Sequence, residues 1–264
     1  MLITRLAIFF FALTQLNVDA AEVIAVDPIE DCFLCSSAPS MTMYWQSPNS
    51  KVVLLVIPGG SGLVGITPEK NDLKQPFFNN LKILTNKNLT TGQVDLVVLD
   101  SPRVLTPNGA DLSGRDTKEH MIRIESALKY YKNKTGLPVW IIGQSNGGAS
   151  LANFTRYLRD KNQENLIAGA IASTTRPESN FASSLNIPLM FITHRFDGCR
   201  NLEQIHAMYK RAASSNSAKT QWVLIEGGEE EVGKDPCRSG FHMFYKAGDE
   251  YAKAIDDFIA SFYL

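Results

Sequence analysis

The segment Gly143-Gln144-Ser145-Asn146-Gly147 sets one hydroxyl between two glycines, behind the apolar run Val139 to Ile142 and ahead of a stretch of helical period. A serine carried on a tight strand-to-helix turn sits in strained backbone, and glycine two residues either side lets neighbouring chain approach it. A hydroxyl is a poor nucleophile alone. It needs a base to take its proton and an acid to orient that base. Both follow later in the chain. The apolar run Leu189 to Thr193 ends near His194 and delivers Asp197 into the next loop, whereas the run before it ends in Ser173-Thr174-Thr175 and offers no rival carboxylate. Ser239-Gly240-Phe241-His242 then supplies an imidazole ahead of the last helical segment.

With only 4 histidines, the base can be chosen by elimination. His120 and His206 fall within amphipathic segments and read as partly exposed helical residues. His194, three residues before Asp197, competes, but it is better placed to line a site than to bridge Ser145 and Asp197. His242 is therefore preferred. An oxyanion formed on attack needs preorganised N–H donors. Asn146 offers one from its backbone, and the Gly-rich turn Pro58-Gly59-Gly60-Ser61-Gly62, after the run Val52 to Ile57, offers the other from Gly60 or Ser61.

Such residues require a scaffold. Apolar runs at Val52–Ile57, Val94–Leu99, Val139–Gly143, Ile167–Ala172, Leu189–Thr193 and Trp222–Ile225 alternate with segments of helical period at 116–132, 147–159, 202–213 and 250–262. Runs apolar on both faces predict a mostly parallel sheet covered by helices on both sides, an α/β fold. Met41–Trp45 is expected as an antiparallel edge strand. Only about fifteen residues separate Ala172 from the run after Pro188, which predicts a minimal cap.

At the start, Arg5, the apolar run Leu6–Leu13 and the small residues around Ala20 predict a secretory signal over 1–20, leaving a single domain over 21–264. That run is too short to span a bilayer. The 4 cysteines agree with export to the periplasm or beyond. Three pairings are possible, and Cys32–Cys35 with Cys199–Cys237 is favoured; a C-x-x-C redox motif and a four-cysteine zinc site are the alternatives. With 26 Lys+Arg against 27 Asp+Glu, the chain has no basic field for nucleic acid, so a small molecule or short acyl compound is the expected partner of a monomer.

From the Gly-rich turn at Gly59 to the last helix, the chain resembles the α/β-hydrolase superfamily, in particular secreted bacterial serine hydrolases and esterases with one Cys soon after the acid and another just before the His. The resemblance implies Ser145 as nucleophile, Asp197 as acid, His242 as base, and Asn146 with Gly60 or Ser61 as oxyanion donors. It implies carboxylester cleavage without metal or cofactor. One departure is Pro58, where many esterases of the fold carry His before the Gly-rich turn. Two readings of other classes remain. A non-catalytic binding protein on the same fold keeps the same residues. A dinucleotide-binding oxidoreductase is suggested by Gly60-Ser61-Gly62-Leu63-Val64-Gly65, but Thr67-Pro68 interrupts the helix it needs, and the next strand's acidic residue, Asp100, lies about twice too far along.

Overall fold

The computed structural model describes residues 21–30, 35–69, 72–86, 93–108, 111–181, 185–216 and 219–262. The expected signal over 1–20 and Cys32 lie outside them.

Eight strands form one sheet in the order β1-β2-β4-β3-β5-β6-β7-β8. These are β1 (Glu22–Val26), β2 (Ser40–Trp45), β3 (Ser50–Ile57), β4 (Gln93–Leu99), β5 (Val139–Gln144), β6 (Gly169–Ser173), β7 (Leu189–His194) and β8 (Thr220–Ile225). From β4 through β8 every pairing is parallel. β2 runs antiparallel to both β1 and β4, so Met41–Trp45 is antiparallel as expected but internal. The edge belongs to β1, a five-residue strand whose apolar content was too short to stand out.

The helices are α1 (Pro76–Asn86), α2 (Lys118–Thr135), α3 (Asn146–Asp160), α4 (Leu202–Ala213) and α5 (Gly248–Ala260). Alternation along β3 shows why both sheet faces are covered. Val53, Leu55 and Ile57 pack with Ile124 and Leu128 of α2, Leu151 and Phe154 of α3, and Ile205 of α4. Val52, Leu54 and Val56 pack on the other face with Phe77 and Leu81 of α1 and Tyr251 and Ile255 of α5. A strand buried on both faces is apolar at most positions, and that near-continuous pattern is what made β3 to β7 visible. Thr117 caps α2 by accepting from the His120 amide at 3.3 Å, and Gly136 ends it in a left-handed turn with φ 70°. Among the described residues no helix lies between β6 and β7, so the sheet's carboxyl edge carries a minimal cap.

Candidate active site

Ser145 is the single residue between β5 and α3, with φ 54° and ψ −120°. For a residue bearing a Cβ, such backbone costs about 1–3 kcal/mol and persists only when its surroundings hold it. Here they do. A Cβ on Gly143 would lie 2.4 Å from the Gly147 carbonyl oxygen, and one on Gly147 would lie 2.2 Å from that of Ile57. The Ser145 amide donates to Ser173 O of β6 at 2.9 Å. The turn is thus clamped between β3, β6 and its own helix, with Ser145 at its tip and 5% exposed.

Asp197 lies three residues beyond β7, and His242 lies in a short 3₁₀ turn at Gly240–Met243. Their side chains meet in the interior, His242 Nδ1 to Asp197 Oδ2 at 2.8 Å. The other carboxylate oxygen accepts from the Cys199 amide at 2.8 Å. Because a carboxylate accepts, Nδ1 carries the proton, which leaves Nε2 of a neutral ring as a lone-pair acceptor. That Nε2 is buried and makes no hydrogen bond among the described residues. The Ser145 hydroxyl does not contact it. Instead, Ser145 Oγ accepts from Arg200 Nη2 at 2.9 Å. Asp197 and His242 are therefore brought together, and Ser145 is held by a third residue that had not been singled out.

The remaining histidines are accounted for. His194 Nε2 donates to Gly227 O at 2.7 Å, while its Nδ1 accepts from the Phe196 amide at 3.0 Å, so neither nitrogen is free for proton transfer. Its ring stacks on Phe241, next to His242, at 4.3 Å between centroids. His120 is buried rather than partly exposed, because α2 packs that face beneath α3. Its Nε2 pairs with Ser150 Oγ at 2.9 Å, and burial, followed by the Arg115 charge, pushes its pKa down to about 3. His206 is half-buried and sits against Tyr209 and Trp222 on α4 and β8.

On the opposite side of Ser145, the Gly59-Gly60-Ser61 turn closes over it; a Cβ on Gly59 would lie 2.9 Å from that of Ser145. Its carbonyls are gathered by Arg115, a fully buried guanidinium reaching Pro58 O at 3.2 Å, Gly59 O at 3.3 Å and Gly60 O at 3.0 Å. Asn146 Nδ2 adds a bond to Gly60 O at 2.9 Å. With the carbonyls turned toward Arg115, the Gly60 and Ser61 amides make no hydrogen bond among the described residues. Arg115 faces only neutral partners, and desolvation, then the Arg176 charge, lowers its pKa to about 10.

Cys199 is disulfide-bonded to Cys237, joining the loop of Asp197 to the segment before His242. That bond removes the four-cysteine zinc reading. Asp197, Cys199 and His242 bring ligating atoms within 4.8 Å of one another, yet the sulfur is already committed and offers no thiolate to a metal. Cys35 is also disulfide-bonded.

The carboxylates of the acidic segment Glu226–Glu231 are taken up by nearby cations and amides. Glu229 meets Lys246 at 2.8 Å, and Arg195 pairs with Glu226. Glu231 accepts from the Gly240 amide at 3.0 Å and pairs with Lys234, whose hydrogen bond is the larger reason its carboxyl titrates below the usual range. Glu230 accepts from the Phe241 amide at 3.4 Å. Two carboxylates thus cap the turn that carries His242. The Gly60–Gly65 segment leads into no phosphate-binding helix: the Val64 and Ile66 amides bond to the Asp100 carboxylate at 2.5 and 2.7 Å, and the next helix begins at Pro76.

No protein-family model matches the chain, and no curated protein matches it. Solved structures do. An α/β serine hydrolase without lid from Xanthomonas campestris is similar with a TM-score of 0.59 and 10% identity, over 92% of this chain and 95% of that one. The Pyrococcus furiosus esterase Pf2001 gives 0.59 and 11% over 91% and 92%. Dienelactone hydrolase from Anabaena variabilis gives 0.58 and 14% over 91% and 97%. The chain has the α/β-hydrolase fold.

Proposed function

We propose that the protein is a serine hydrolase that cleaves carboxylic esters through an acyl-enzyme. The observation that carries this reading is the buried Asp197–His242 pair, whose Nε2 is left as an unsatisfied acceptor at the same sheet edge as the strained Ser145 turn. Unsatisfied buried acceptors are costly and are retained where a proton must be received. In the proposed cycle, Ser145 Oγ attacks the ester carbonyl and its proton passes to His242 Nε2. Asp197 stabilises the resulting imidazolium. Charge on the former carbonyl oxygen is met by the Asn146 amide and by that of Gly60 or Ser61. Collapse expels the alcohol, which takes the proton from His242, and water then repeats the sequence on the acyl carbon. For attack to begin, Arg200 must release Oγ.

Two further points belong to this reading. The Cys199–Cys237 disulfide fits an oxidising compartment, as expected of a chain exported by a cleaved leader, and no helix among the described residues is long and apolar enough to cross a membrane. A non-catalytic binding role is favoured by one observation, the Arg200 contact that occupies the nucleophile.

A fluorophosphonate probe separates the two. It is expected to label the wild-type protein at Ser145, and Ser145→Ala is expected to lose labelling and at least about 1,000-fold in ester turnover while keeping its circular dichroism. Turnover retained in Ser145→Ala would reject the assignment, and a folded wild-type protein inert to probe and esters would reject the hydrolase reading and favour the binding role.

A further inference from the structure

Arg200 is an odd neighbour for a nucleophile. Its Nη2 donates to Ser145 Oγ, its Nη1 reaches only the Cys199 carbonyl at 3.4 Å, and its Nε is buried without a partner. No carboxylate is in ion-pair contact with it among the described residues, although Asp197 and Glu178 are near enough to favour its charge. A second guanidinium, Arg176, reaches Asn146 Oδ1 at 3.4 Å beside the nucleophile and is paired with Glu178 at 3.0 Å, a carboxylate on the outer side. Arg176 is close enough to Arg200 and to Arg115 to destabilise the charge of both. Two guanidiniums thus flank Ser145 and Asn146, with Arg115 behind the neighbouring Pro58–Gly60 turn, and Arg200 has no carboxylate in ion-pair contact among the described residues.

We infer that this site takes esters or lactones bearing a carboxylate a few bonds from the scissile carbonyl, with Arg200, backed by Arg176, as the residue that binds that carboxylate. The inference rests on the hydrolase reading above. A guanidinium presents a planar fork that matches a carboxylate, and such a charge-assisted pair outcompetes its bond to a neutral hydroxyl. An arriving carboxylate therefore draws Nη2 away from Ser145 and frees Oγ to turn toward His242. An uncharged ester gives Arg200 no reason to leave, so the same residue that selects the substrate slows attack by Ser145 without it. The paired Glu226–Glu231 run does not oppose such a substrate, since its carboxylates are bonded to Arg195, Lys246, Lys234 and backbone amides.

The test compares kcat/KM for the mono-nitrophenyl ester of glutaric acid with that for nitrophenyl pentanoate, which has the same chain length without the charge. Acetoxyacetate against ethyl acetate places the carboxylate on the alcohol side instead. Wild-type protein is expected to prefer one charged ester by on the order of 10- to 100-fold. Arg200→Ala is expected to lose that preference by a similar factor, with turnover of the neutral ester rising because Ser145 is released. Arg200→Lys, which keeps the charge without the fork, is expected to fall between. Should Arg200→Ala misfold, acetate, a carboxylate small enough to occupy Arg200 without filling the acyl site, is expected to speed fluorophosphonate labelling of the wild type, and acetamide is not. Brisk turnover of the neutral ester with no preference for either charged one, or a preference unchanged in Arg200→Ala, would overturn this inference and leave the hydrolase reading standing. Absence of both labelling and turnover would overturn both.

Discussion

The two sides of the candidate site are built by different means. On the Ser145 side, backbone packs directly on backbone: Gly147 lies on the Ile57 carbonyl, Gly143 lies on the Gly147 carbonyl, and a buried guanidinium gathers the turn at Pro58–Gly60 from beneath. On the base side, Asp197 and His242 stand in loops beyond β7 and β8, held by a disulfide and by the carboxylates of Glu230 and Glu231. The first region is specified by the absence of space, and the second by tethers. Shape that is filled tolerates no added atom, whereas a tethered loop loosens by degrees.

The largest expected effect tests the first half of that contrast. Gly147→Ala drives a Cβ into the Ile57 carbonyl and is expected to cost more than about 4 kcal/mol in urea unfolding, the range reserved for gross steric faults. Gly60→Ala is its control. Gly60 has φ 54° but nothing within 4 Å of an added Cβ, so about 1–2 kcal/mol of backbone strain is expected. Equal losses in the two variants would break the comparison.

Next comes the tether. Replacing Cys199 and Cys237 with serine opens a loop spanning a sequence separation of 38, worth about 4 kcal/mol in the chain-entropy model. The double variant is expected to lower ester turnover as well as the urea midpoint, since Asp197 and His242 lose their common anchor. A turnover unchanged in folded protein at low temperature would show that the bridge serves stability alone.

The smallest effect concerns acid. His120, beneath the Ser145 side, is neutral in the fold with a pKa of about 3 against the ordinary 6.5, so the unfolded chain binds the extra proton between those values. Its contribution is fully present above about pH 6.5 and is lost as pH falls toward 3, at up to about 1.4 kcal/mol per unit. Compared with His120→Gln, the wild type is expected to show the steeper decline in unfolding free energy from pH 6 to pH 4. Parallel curves would remove His120 from the acid response.

Legibility in the sequence followed the same division. Strands β3 to β7 are nearly continuous apolar runs because both faces are covered, β8 shows as a shorter run at the sheet's edge, and the ends of all six were placed within two residues. Helix α1 was overlooked, although Phe77, Leu81 and Leu84 keep helical spacing after Pro76; Asn79 and Asn80 dilute the stripe, and Asn80 instead bonds to Met243 and Phe244 across the fold. Ser145, Asp197 and His242 could be singled out because a motif or a strand end marks each of them. Arg115, Arg176 and Arg200 carry no such mark: a lone arginine in a loop looks the same whether it faces water or a reacting hydroxyl. The hold of Glu230 and Glu231 on the Gly240–Met243 turn depends on a contact between segments that spacing does not reveal.

The bond between Cys199 and Cys237 encloses α4 and β8 in a covalent ring. A protease cutting the exposed turn after α4 would therefore leave both fragments linked, and a nicked molecule would migrate as one species until a thiol reductant separated the pieces.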